Sequence, residues 1–199
     1  MKVPYFSSKD IKLIADEFRS KYWNEVIPVD VEKIAEHELN IKIIPIPDLK
    51  KLASVDALIT SKWDIVFADE FFYSNRENRF RFSLAHELGH FILHKEIYES
   101  FEIKNLEDYN NFFDDMTSED YSFFERQANN FANYLLIPTD KLKEEIKNII
   151  REDDKYKIFK EEESKINYLS CSLCDQFKVS EASMTIAIKN LINIREIEL

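Results

Sequence analysis

The segment RFSLAHELGHFILH, residues 81–94, constrains this chain more than any other stretch. It carries three of the four histidines and the single glycine of a 199-residue chain, and AHELGHFIL is otherwise apolar. Such a run reads as a buried helix. Within it His86, Glu87 and His90 spell H-E-x-x-H. Side chains four apart on a helix project from one face, so both imidazoles can reach one ion. Glu87 is rotated by one position, outside the ligand set yet near enough to take a proton from a water beside the ion. Zinc hydrolases divide the labour this way: the ion acidifies water and polarises a carbonyl, and the carboxylate accepts the proton.

A third protein ligand is needed, and His94 is the tempting one. It lies one further turn along the same helix, about 6 Å of rise beyond His90, while the ion sits between His86 and His90. Recruiting it would require the chain to turn back, and FILH has no such turn. His94 is expected behind the ligands or packed in the core. Glu125, in SFFERQANNFANYLLIP, is the better candidate. Ala128, Asn129 and Ala132 share its face, and the two alanines allow two helices to approach closely. Asp114, Asp115, Glu119 and Asp120 are rivals without that small-residue setting. Gly89 costs about 1 kcal/mol relative to alanine inside a helix. Its place between the two histidines implies that a neighbouring element passes close to the site.

The remaining chain supplies a frame. Residues 9–22 and 29–39 carry helical apolar stripes, Ile11, Ile14, Ala15 and Phe18, then Val31, Ile34 and Ala35. His37 reads as an ordinary surface histidine. Residues 40–47, 55–60 and 64–69 are short and β-branched, the last two forming a hairpin, and predict a small antiparallel sheet. Ser74 and Glu77 have capping-box spacing, which starts the H-E-x-x-H helix near residue 75. Residues 95–118, acidic and aromatic, read as irregular: a solvated connection, or a wall or lid over the site. Helices follow at about 119–137, from Pro138 onward, and at about 161–176 and 180–192. Cys171 and Cys174 fall inside a helical pattern, so they read as two small buried residues rather than a zinc or redox pair.

With 27 basic against 38 acidic residues the net charge is −11, which argues against gripping a phosphate backbone directly. No signal core or membrane-length apolar run is present, so a cytoplasmic protein without a membrane partner is expected.

Taken together, RFSLAHELGH and ERQANNFANYLLIP resemble the ImmA/IrrE family of zinc metallopeptidases, whose pattern runs R-F-[ST]-x-A-H-E-[LI]-G-H and then E-x-x-A-N-x-F-A-x-x-L-L-x-P. The lead-in PVDVEKIAEHELNIKII is also similar, with Asn40 where the family usually has glycine, so the likeness spans about residues 10–138. The resemblance implies Zn2+ held by His86, His90 and Glu125, with Glu87 as general base. It further implies an endopeptidase that cuts helix-turn-helix repressors of phages or mobile elements. The fold expected is α+β, a minimal zincin-like metallopeptidase domain over residues 1–155 with its small antiparallel sheet packed on helices. A helical, helix-turn-helix-like tail follows over 156–199. The tail's second helix has one basic residue, Lys189, so it reads as a packing or repressor-docking unit. A zinc-containing module that sequesters a regulator without cutting it is the alternative; Glu87, needed only for catalysis, separates the two. His94, Tyr121 and Tyr134 are the candidates for stabilising an oxyanion.

Overall fold

The computed structural model describes residues 3–24, 26–114 and 116–199, and the side chains of all of these except Asn110, Phe113 and Asp114. Helix α1 (Ser8–Tyr22) opens with a capping box between Ser7 and Asp10 and buries Ile11, Ala15 and Phe18, the stripe its periodicity predicts. Helix α2 (Val31–Lys33) continues into a π-helical turn, Ile34–Glu38, and buries Val31, Ile34 and Ala35; His37 is exposed. Asn40 then takes the left-handed conformation, φ 55°, a region that asparagine visits more readily than most residues other than glycine.

Strand β1 (Lys42–Ile46), helix α3 (Leu49–Ala53) and strands β2 (Ala57–Ile59) and β3 (Ile65–Asp69) follow. The sheet is mixed, not antiparallel as expected. β2 and β3 do form the antiparallel hairpin, but the strand order is β1-β3-β2 and β1 runs parallel to β3. β3, with Val66, Ala68 and Asp69 buried, takes the centre, while β1, with exposed Lys42 and a proline that lacks an N–H, suits an edge. The α3 crossover carries the chain past the slot that β3 fills, and so reverses the pairing sense.

The expected Ser74–Glu77 capping box does not form. Asp69, at the end of β3, already caps a short helix α4 (Glu70–Asn75) by accepting from the N–H groups of Phe71 and Phe72. Ser74 is therefore helical where a cap must be extended, and α5 (Glu77–Leu93) starts at Glu77 without a side-chain cap. Residues 95–114 are largely helical rather than irregular, as α6 (Lys95–Phe101) and α7 (Leu106–Asp114). Their aromatics decide this: Tyr98, Tyr109 and Phe112 are buried in the core.

Helix α8 (Ser118–Leu136), capped by Thr117, packs along both α5 and α1. Helix α9 (Thr139–Glu152) follows Pro138. The chain closes with α10 (Glu162–Phe177) and α11 (Glu181–Asn193), whose Leu169, Leu173, Met184 and Ile188 join the same continuous core. Buried Arg81 ties three segments together: its Nη2 donates to the Val29 carbonyl at 2.6 Å and its Nε to the Lys178 carbonyl at 3.3 Å. Cys171 and Cys174 lie within α10 and are free, but Cys171 is exposed, so they are not both buried as expected. Among the described residues no helix is long and apolar enough to cross a membrane.

Candidate metal centre

α5 and α8 build the centre between them. α5 presents His86 and His90 one turn apart, and α8 presents Glu125 against them. Nε2 of His86 lies 3.3 Å from one Glu125 carboxylate oxygen, and Nε2 of His90 lies 3.4 Å from the other. The two Nε2 atoms are 3.0 Å apart. Three donors with about 2.0–2.2 Å bonds to a tetrahedral ion stand about 3.3–3.6 Å from one another, so two nitrogens and a carboxylate oxygen at 3.0–3.4 Å stand close to the spacing that lets them hold a metal ion.

The rivals for the third ligand place differently. Asp120 accepts from the Thr117 hydroxyl at the start of α8, and Glu119 is exposed. Asp115 and the side chain of Asp114 lie outside the described residues.

Each imidazole is held from behind. Nδ1 of His86 is 3.0 Å from Oδ1 of Asn129, one turn along α8 from Glu125. Nδ1 of His90 is 2.9 Å from Nδ1 of His94, which lies behind the ligands as its spacing predicts. Both of the latter rings stack on Phe124, with centroids at 4.3 and 4.1 Å.

Burial and proximity set the charges. Burial pushes the Glu125 carboxyl upward, but hydrogen bonds from His86 and His90 outweigh it and hold it well below the carboxylate range. Burial likewise opposes charge on His86, yet Glu125 lifts it to about 9. His90 is lowered to about 4 and His94 to about 2, in both cases first by burial.

Glu87 faces the same cleft, about 280 Å³ in volume, together with Ala57, Phe82, Tyr109, Tyr121 and Asn129. Burial raises its carboxyl to about 7. One of its oxygens accepts from the backbone N–H of Ile59 at 2.8 Å. The β2–β3 register explains that bond. Residues 56 and 60 pair with β3 through their backbone, so the alternate residues 57 and 59 turn theirs to the open edge of β2. That edge borders the cleft.

The profile of the IrrE N-terminal-like domain, the Peptidase_M78 family, matches residues 72–189. The chain belongs to this family. No curated protein matches the chain.

The M78 match covers α5 and α8 whole, and with them the residues read from the sequence, His86, Glu87, His90 and Glu125. Two contributors to the M78 centre escaped that reading. Asn129 carried a signal, since it stands at i+4 from Glu125 and shares its face. Tyr109 carried none, because the segment that holds it reads as irregular. Tyr121 does line the cleft, whereas Tyr134 bonds the Ser8 hydroxyl at 2.7 Å, outside the cleft lining.

Proposed function

We propose that this M78 member is a zinc-dependent endopeptidase with a narrow protein substrate, a helix-turn-helix repressor. One observation carries the catalytic part: Glu87, 4% exposed, sits in the cleft beside the three donor atoms with its carboxyl raised to about 7. A module that only sequesters a partner has no use for a buried, costly carboxylate there. The repressor rests on the family resemblance.

Zn2+ held by His86, His90 and Glu125 would supply Lewis acidity, acidifying water and polarising the scissile carbonyl. Glu87 takes the proton of the attacking water and later returns it to the leaving amine. The Ile59 N–H fixes the orientation of its carboxylate. The outward backbone of Ala57, at the open edge of β2, offers an extended substrate an antiparallel ladder. Tyr109 and Tyr121 line the same cleft and are the candidates for stabilising the developing oxyanion.

The test compares protein N-termini in the host expressing wild type or Glu87→Gln, with and without DNA damage. A new N-terminus within a repressor, dependent on Glu87, is the expected result. A repressor that co-purifies with both versions and is never cut would establish the sequestering module instead.

A further inference from the structure

We infer that His94 is a positioning residue for the metal centre: its Nδ1 accepts the Nδ1–H of His90 and so keeps the His90 Nε2 lone pair free for the ion. The inference rests on the reading above that the centre holds zinc.

The geometry places the protons once the two histidines act as ligands. Nε2 of His86 and Nε2 of His90 lie 3.0 Å apart and both face the Glu125 carboxylate, so these are the atoms that offer lone pairs to an ion. A neutral imidazole that ligates through Nε2 carries its proton on Nδ1. On His86 that proton meets Oδ1 of Asn129, an acceptor 3.0 Å away. On His90 it points at His94 Nδ1, 2.9 Å away.

His94 itself is the informative end. It is 1% exposed, and its Nε2, which must carry the ring's remaining proton, has no hydrogen-bond partner among the described residues. A buried unpartnered N–H is unfavourable. A phenylalanine or leucine would fill the same space against Phe124 without it. The imidazole is therefore explained by what its other nitrogen does. Its ring is well placed for that work, at the C-cap of α5 with its backbone N–H on the His90 carbonyl and its face on Phe124. Ligating histidines generally donate their second N–H to a carboxylate, a carbonyl or water. Here a neutral imidazole nitrogen takes that part and adds no charge behind the ligands.

The experiment measures Zn2+ affinity of the full chain by competition with a chromophoric chelator, for wild type, His94→Phe and His94→Asn. Asparagine sets an oxygen near the place of Nδ1; phenylalanine keeps the packing and removes the acceptor. Loss of a second-layer acceptor typically weakens metal binding about 10–100-fold, so His94→Phe is expected to fall in that range and His94→Asn within about threefold of wild type. Imidazole 15N NMR of the zinc-bound wild type is expected to show the His90 proton on Nδ1 and the His94 proton on Nε2. Equal affinity for wild type and His94→Phe overturns the inference, and so does an equal loss in both variants, which would mark packing alone. If His94→Phe does not fold, the NMR decides, and a His90 proton on Nε2 in the zinc form overturns it. A wild type that binds no zinc removes the metal reading itself, which none of the variant results does.

Discussion

Gly89 on α5 lies against the backbone of Ala128 on α8: a β-carbon at position 89 would stand 3.1 Å from both the Cα and the carbonyl oxygen of Ala128. It would also meet Cβ of Phe131 at 3.3 Å. The chain's one glycine is thus the point at which the helix carrying His86 and His90 is allowed close to the helix carrying Glu125.

Gly89→Ala should therefore destabilise the protein. Helix propensity favours alanine by about 1 kcal/mol, but overpacking against a helix backbone costs about 1–3 kcal/mol and exceeds it. The relief available is a shift of α8, which moves Glu125 from the histidines. Urea unfolding should show a net loss of about 1 kcal/mol, and chelator competition a zinc affinity at least about tenfold lower. A variant as stable as wild type with unchanged affinity contradicts the close-approach explanation.

Metal uptake should release protons in a predictable window. His86, lifted to about 9 by Glu125, holds at neutral pH the proton that an ion must displace. Zinc affinity should rise about tenfold per pH unit up to about pH 9 and then level. Titration calorimetry at pH 7 in buffers of different ionisation enthalpy should report close to one proton released. Stability of the metal-free protein runs the other way. The folded pKa of His86 exceeds its unfolded value, so its contribution is full below about pH 6.5 and fades through about 9. Glu87, raised to about 7 by burial, adds to that decline between about pH 4.5 and 7.

Glu87→Gln should separate chemistry from architecture. The amide oxygen still accepts from the Ile59 N–H, and a neutral side chain is easier to bury. Thermal stability and zinc affinity should stay close to wild type, while peptide cleavage falls about 10²–10⁴-fold, the range for losing a general base. Residual activity near wild type would move the base to another group in the cleft.

Arg81 makes the case for the R of the R-F-[ST] pattern as a structural residue. It is buried, and its guanidinium joins the Val29 carbonyl to the Lys178 carbonyl between α10 and α11. Arg81→Ala leaves both carbonyls unmet and should cost about 2–4 kcal/mol in urea unfolding. Arg81→Lys should recover less than half of that, since an ammonium lacks the planar fork. A loss below about 0.5 kcal/mol for the alanine variant would show that the three segments hold together without it.

The parts of this molecule that were legible in its residues share a physical property. Spacing on one helix is a local matter: positions 86 and 90 face one way wherever the helix is placed, and Glu125 with Ala128 and Ala132 marks a close-packing face before its partner is known. The hairpin of β2 and β3, the left-handed Asn40 and the two closing helices are likewise set by short-range pattern and turn chemistry. Direction of pairing is not local. β1 runs parallel to β3 because β3, the second strand of the antiparallel hairpin, took the place beside it instead of β2, and no feature of the segment Lys42–Ile46 beyond Pro45 signals that.

That His86, Glu87, His90 and Glu125 would be brought together was thus legible in the sequence alone. Tertiary structure decided which groups stand behind and around them: Asn129 on His86, His94 on His90, the Ile59 N–H on Glu87, and Tyr109 in the cleft from a segment that reads as irregular. A side chain's direction follows from its own helix, but its partner depends on which element packs there, and only the folded core fixes that.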